Sequence, residues 1–339
     1  MCYCPGRATR KRVGCGGEPG CCSARRSMRR ESGVRRCNRA MFPPAPMLVP
    51  SLHVRCNLCG TDDPKPLLTK HGFTIVSCRA CSLAYVTPRP DAQSLIALYS
   101  DERYYRNLNA SPFGYPDYLG ERWLLERLVA RRLAEIETRV PGRGRLLDVG
   151  CATGVLVEAA KARGWETVGV DVSVFAAAQC HARGLDVRVG DLGGVDLPPD
   201  HFDVAVLDDT IEHLPDPGRA LDEIRRVLRP GGLVTLNTPN HGGWLRWAMG
   251  RNWFHCKPPE HLYYFSPLTL RALLAKHRFH RIETRVSGKY VTLRYLCDRT
   301  KAYGVGLARV LTGTLGRVPG ADVPFPLPIG EFVAFAERP

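Results

Sequence analysis

Four cysteines open the chemistry of this chain. They stand as Cys56-Asn-Leu-Cys59 and Cys78-Arg-Ala-Cys81, with 18 residues between the pairs. Two C-x2-C turns at this separation suit a tetrahedral zinc site of four thiolates. Each turn aims two sulfurs at one ion, and a hairpin brings the second pair opposite. Gly60 suits the tight turn after the first pair, and Phe73 to Val76 reads as a strand leading into the second. A module of this size buries too little apolar surface to fold alone, so the metal would supply folding energy. A full thiolate shell leaves no open position, which makes such a zinc structural. Four free thiols in a small core are the alternative. A redox pair would want a βαβ context that is absent here.

A second set of residues follows a glycine-rich loop, Asp148-Val-Gly150-Cys-Ala-Thr-Gly154. Glycines let a ligand approach the backbone at a helix N-terminus. The dinucleotide pattern G-x-G-x-x-G is not met, because position 152 is Ala and position 155 is Val. Asp148 would repel a pyrophosphate. It suits a phosphate-free cofactor with an ammonium and a sulfonium, which describes S-adenosylmethionine. Val168-Gly-Val-Asp171 places another carboxylate at a strand tip, 21 residues past Gly150, where it can accept hydrogen bonds from a ribose diol.

The elements around these residues alternate. Arg145–Val149, Glu166–Val170, Asp186–Val189, Phe202–Leu207 and Leu233–Asn237 read as strands, and Val155–Arg163, Val174–Ala182 and Pro217–Leu228 as helices. A helix over Tyr118–Val140 leads in. Ser266-Pro267 opens another that runs to about Lys276, with Ser as N-cap and Pro at the first helical position. Ile282–Val286 and Glu331–Ala336 close as strands around a partly helical linker over 292–315. The expectation is an α/β fold with a doubly wound, mostly parallel seven-stranded sheet and a small N-terminal zinc-ribbon-like module. The expected divisions are a disordered basic tail over 1–50, a zinc knuckle over 51–90, a helical lead-in over 91–140 and a catalytic domain over 141–339, with an insertion at about 241–265.

Leu147-Asp-Val-Gly-Cys-Ala-Thr-Gly154, Gly169-Val-Asp171, Gly190-Asp191, Phe202 to Asp209 and Leu228-Arg-Pro-Gly-Gly232 together resemble the ordered motif series of class I (Rossmann-like) S-adenosylmethionine-dependent methyltransferases. The resemblance covers about 100 residues. It implies Asp148, with Gly150 and Gly154, near the methionine end, Asp171 on the ribose, Asp191 and Leu192 at the adenine, and Asp208 lining the methyl-donor pocket. A turn or helix cap is the structural alternative for each aspartate. Ala152 departs from the pattern by one small residue.

Two candidate bases follow. Pro258-Pro-Glu260-His261-Leu-Tyr-Tyr-Phe-Ser266 is similar to the Glu-His-x-x-Tyr-Phe-Ser segment of zinc-knuckle sugar C-methyltransferases, which implies His261 as the base beside Glu260. Those enzymes continue into another sizeable α/β domain, whereas roughly 60 residues follow the helix here. Asp209-x-x-Glu212-His213 is similar to the same region of quinone-biosynthesis O-methyltransferases, where this spacing can hold a divalent cation. The alternatives are a packing histidine at 261 and a helix start with solvated charges at 212–213. Between the two lie Trp244, Trp247 and Trp253, three of the five tryptophans. They suit a substrate lid, an interfacial membrane helix or an insertion packed over the sheet.

Charge narrows the partners. The formal net charge is +15, but residues 1–50 hold 11 Lys/Arg against 2 Asp/Glu, and the other 289 hold 37 against 31. The tail carries the excess and six of the 14 cysteines. It reads as disordered, either a nucleic-acid or membrane arm or a non-native extension before Met41 or Met47. Without a secretion signal a reducing cytoplasm is expected, and the chain has no run of 18 apolar residues to span a membrane. The expected partner is a small-molecule acceptor: a sugar, polyketide or cell-envelope precursor. An RNA base methyltransferase is the rival, but Asp208-Asp-Thr-Ile lacks the Asn/Asp-Pro-Pro-aromatic turn of amino-group enzymes, and the body is only mildly basic. A non-catalytic zinc and cofactor module is the second rival, which the intact acids at 148, 171 and 191 oppose.

Overall fold

The computed structural model describes residues 48–106, 122–293 and 320–339. Most of the basic tail, the start of the predicted 118–140 helix and nearly all of the 292–315 linker lie outside the described residues.

The first elements build the cysteine module. Strands β1 (Pro64–Lys70) and β2 (Phe73–Cys78) form an antiparallel hairpin. Its turn is His71-Gly72, both at positive φ (52° and 81°), which matches the twist of paired strands. β3 (Ala84–Val86) pairs with β2. Helices α1 (Ala92–Ser100), α2 (Glu102–Arg106) and α3 (Arg122–Arg139) follow. The Asp91 side chain caps α1 by accepting from the Ser94 amide.

The alternating region then forms β4 (Arg145–Val149), α4 (Val155–Ala162), β5 (Glu166–Asp171), α5 (Val174–His181), β6 (Val187–Val189), β7 (Phe202–Asp208), α6 (Pro217–Val227) and β8 (Leu228–Pro239). The insertion holds α7 (Trp244–Met249) and β9 (Tyr263–Tyr264), and the chain continues with α8 (Pro267–Lys276), β10 (His280–Val291) and β11 (Phe325–Glu337). The sheet order is β10-β11-β8-β7-β4-β5-β6. β11 runs antiparallel between β10 and β8, and the other strands run parallel, giving the expected seven strands. Ser266 caps α8 with a reciprocal bond to Thr269, as the Ser-Pro signal predicts.

Both faces of the sheet are covered. On one, Val129, Leu133 and Ile136 of α3 pack with Leu146, Val204, Val206 and Phe335. On the other, Leu221 and Ile224 of α6 and Leu270 and Leu273 of α8 pack on Leu147, Val170 and Leu207. That second cluster also contains Cys56, Leu58, Val76, Cys78 and Tyr85. The expected boundary near residue 90 is therefore not a break in the core. β9 adds to β3 as the fourth strand of the cysteine module. Asn57 bonds the Asp216 carboxylate (2.8 Å) and the Gly218 amide (3.0 Å) at the start of α6. Arg89 reaches the Tyr263 hydroxyl (3.0 Å) and the Pro215 carbonyl (2.7 Å). A module too small for its own core shares that of the larger sheet.

Candidate active site

The carboxyl ends of β4, β5 and β7 are adjacent in the sheet, so the acids at their tips converge. Asp148, Asp171, Asp191 and Asp208 line one cavity of about 450 Å³, together with Gly150, Leu192, Tyr99, Tyr104 and His213. Asp148 is buried, and its carboxyl is held well above the usual range by burial, then by the charges of Asp208 and Asp171. Burial likewise raises Asp171, although its two oxygens accept from the Ala152 amide (2.7 Å) and the Ser173 amide (2.8 Å). Asp208 accepts from Nε of the buried Arg132 at 3.2 Å. Acids gathered at this density favour a cationic ligand, whose charge would stabilise their ionised forms.

The loop that faces them is built for close approach. Gly150 and Gly154 lie at φ 74° and 71°. A Cβ at Gly150 would sit 2.6 Å from Thr210 Oγ1, and one at Gly154 would sit 2.8 Å from Cys180 Sγ. Ala152 takes φ 45° without being glycine, a conformation that costs about 1–2 kcal/mol for an L residue. Ala152→Gly is expected to retain cofactor affinity and stabilise the fold by up to about 1 kcal/mol. Thermal denaturation with and without S-adenosylmethionine checks this, and a lowered Tm would refute it.

The two candidate bases meet. The rings of His213 and His261 lie edge to face, with centroids 4.7 Å apart. Glu212, His213 and His261 offer ligand atoms all within 4.8 Å of one another. His213 lines the cavity, while the buried His261 and Glu260 are not among its lining residues. The Tyr99 hydroxyl lies 3.1 Å from His213 Nδ1 and 3.2 Å from the Glu260 carbonyl oxygen. Burial and the charges of Glu260 and Glu212 keep Tyr99 protonated. The single hydroxyl proton of Tyr99 serves either the carbonyl, with His213 donating from Nδ1, or Nδ1 itself; the contact orients the ring in both cases. Tyr104 donates to Glu260 Oε2 at 3.0 Å.

Glu212 is 1% exposed; Oε2 accepts from Thr238 (2.9 Å), while Oε1 has no hydrogen-bond partner. Burial, then the Asp209 charge, pushes its carboxyl well up. Asp209 lies at φ 51°, and its carboxylate accepts from Asn237 at 2.9 Å. Among the described residues His261, not Asp209, completes the candidate ligand trio. Sequence reasoning missed Tyr99, Tyr104 and the buried pair His255–Glu331 (3.3 Å). Their neighbours in the chain carry no motif, and only folding brings them together.

The four thiols also gather. Cys56–Cys81 and Cys59–Cys78 have sulfur separations of 3.4 Å. Zinc–sulfur bonds of about 2.3 Å imply a tetrahedral edge of about 3.8 Å, so the set fits the ion. At Cys59, burial is outweighed by bonds from Thr61 and the neighbouring thiols, which lower its pKa to about 6, whereas burial raises Cys56 and Cys81. A thiol that ionises this readily suits a metal ligand.

Residues 122–283 match a protein family described as a methyltransferase domain. The fold is that of a class I methyltransferase. Within it the chain is 36% identical over 121 residues to the ubiquinone biosynthesis O-methyltransferase of Alkalilimnicola ehrlichii, covering 33% of this chain and 46% of that protein. It is 36% identical over 117 residues to the enzyme of the same name from Pseudomonas entomophila, covering 32% and 50%. The chain thus spans about half the length of these curated relatives. A solved S-adenosylmethionine-dependent methyltransferase from Archaeoglobus fulgidus aligns with TM-score 0.45 and 20% identity over 65% of this chain and 98% of that one.

Proposed function

We propose that this chain transfers the methyl group of S-adenosylmethionine to a hydroxyl or acidic carbon of a small-molecule acceptor. The reading rests on one juxtaposition: a cradle of strand-tip carboxylates opens on the same cavity as His213, with His261 packed behind it. Asp171 takes the ribose diol, Asp191 and Leu192 the adenine, and Asp148 and Asp208 the cationic methionine end. Methyl transfer is an in-line displacement, so positioning supplies much of the rate. An O–H or acidic C–H acceptor also needs a base, and the imidazole pair supplies it. The quinone-pathway relatives favour oxygen as the methylated atom. Sugar, polyketide and cell-envelope precursors remain acceptors of suitable chemistry, in a cytoplasmic enzyme with a structural zinc.

His213→Ala and His261→Ala are each expected to lower kcat on the order of 100-fold or more with unchanged cofactor affinity. Methyl incorporation from labelled cofactor into a metabolite extract supplies the assay. Full activity in both variants would remove the pair as base. Tyr99→Phe is expected to lower kcat less than either histidine variant, because the His213 ring loses the hydroxyl that orients it.

A second reading adds a divalent cation held by Glu212, His213 and His261. The buried Glu212 Oε1 without a partner favours it, since a carboxylate oxygen in that position is stabilised by a cation. Bound there, the ion would supply Lewis-acid activation of an acceptor hydroxyl. Mild chelation that leaves the four-cysteine zinc in place, as read by an unchanged Tm, should then abolish turnover, and added Mn2+ should restore it. Activity indifferent to chelation leaves the imidazoles acting alone.

A further inference from the structure

The insertion between β8 and β9 carries a surface that the proposed reaction does not use. Trp244 and Trp247 lie three residues apart on α7, and so on one face, and are 74% and 82% exposed. Single exposed apolar residues are ordinary, but two tryptophans side by side are not. Residues 240–259 contain Arg246, Arg251 and Lys257 and no Asp or Glu. None of these residues lines the cavity that holds the carboxylates and His213.

The underside of the segment is firmly anchored. Trp253 is 1% exposed and packs with Leu245, Met249 and Phe254. Lys70 of the β1–β2 hairpin donates to the Cys256 carbonyl (2.7 Å) and the Arg251 carbonyl (3.3 Å). α7 itself lies against β11. The fold therefore holds the two indoles outward on a segment whose own charged residues, over 240–259, are all cationic.

We infer that α7 is an interfacial anchor that seats this face on an anionic lipid bilayer. Indole rings prefer the headgroup boundary, where their apolar body is buried and the N–H stays wet. Cations beside them add attraction to anionic headgroups, about 1 kcal/mol per residue near the surface. The complementarity of a purely cationic segment with an anionic surface selects a bilayer over a protein partner. The anchor stands independently of the reaction proposed above.

The test uses full-length protein and vesicles of phosphatidylcholine with phosphatidylglycerol whose acyl chains carry bromine. Bromine quenches indole fluorescence only when the ring enters the membrane. Residues 1–50 contain no tryptophan, so electrostatic tethering by the tail cannot produce the signal. Wild type is expected to be quenched on anionic vesicles, and Trp244→Phe/Trp247→Phe to lose that quenching. Trp244→Ser/Trp247→Ser should lower the partition coefficient on the order of tenfold, with thermal stability and cofactor affinity unchanged because both side chains are exposed. Wild type without quenching, or quenching that persists in the Phe variant, would overturn the inference. Vesicle binding unaltered by the Ser substitutions would overturn it too. Loss of methyl transfer alone would bear on the reaction and not on the anchor.

Discussion

Asp171→Ala is expected to weaken S-adenosylmethionine binding by a factor of about 100 to 10,000, measured by titration calorimetry. Two hydrogen bonds from a ribose diol to a carboxylate contribute about 1.5–3 kcal/mol each. The same carboxylate also clamps the Ala152 amide, so the glycine-rich loop loses its anchor together with the ribose. Asp171→Asn keeps one oxygen acceptor and should fall between the two. Unchanged affinity in the alanine variant would detach this strand tip from the cofactor. A pH dependence accompanies it. Burial and the neighbouring acids raise Asp148 above the ordinary carboxylate range in the free protein. The folded state thus holds a proton that the unfolded chain releases. Its stability, without ligand, is favoured at low pH and falls as pH rises through the folded pKa. A bound sulfonium and ammonium reverse that preference. Cofactor affinity should therefore rise with pH through the Asp148 titration, with proton release on binding, and Asp148→Asn should flatten the profile. A pH-independent wild type would contradict the role given to Asp148.

The sheet was legible because five parallel strands and the helices between them leave a strong alternating pattern, and Ser266 with Pro267 carries a complete start signal. β3 and β9 were not legible. Strands of three and two residues hold no period, and β9 exists only because β3 offers it an edge. That pairing, together with Asn57 on α6, makes the cysteine module part of the larger core, which local spacing does not encode. The gathering of Asp148, Asp171, Asp191 and Asp208 at one cavity follows from their places at and just after the strand ends. The meeting of His213 with His261 does not. These residues lie on separate connections after β7 and β8, and parallel pairing of those strands brings the connections to one rim. The Asp209-x-x-Glu-His spacing offers three candidate ligands in sequence, whereas the fold gathers Glu212 and His213 with the distant His261. The tryptophan cluster could be read but not divided. Packing under α7 takes Trp253, while the helix face presents Trp244 and Trp247.

Withdrawing zinc should have an effect that reaches beyond the cysteine module. Structural zinc contributes folding free energy directly, and the thiols of Cys56 and Cys78 are both 1% exposed within the cluster that contains Leu221 and Ile224. Four sulfurs crowded together without an ion would have to stay protonated or move apart. Movement would displace Asn57, which bonds the first turn of α6, and β3, which pairs with β9 close behind His261. A strong chelator, or Cys78→Ser, is therefore expected to remove one tightly held equivalent of zinc. It should destabilise the fold by on the order of 5 kcal/mol and depress turnover as β9 loosens. Six further cysteines in residues 1–50 make it necessary to read the equivalent lost against Cys78→Ser and not against total zinc. A chelated protein with unaltered Tm and turnover would return the quartet to a packing role, because a metal that supports a shared core cannot leave without the core registering it.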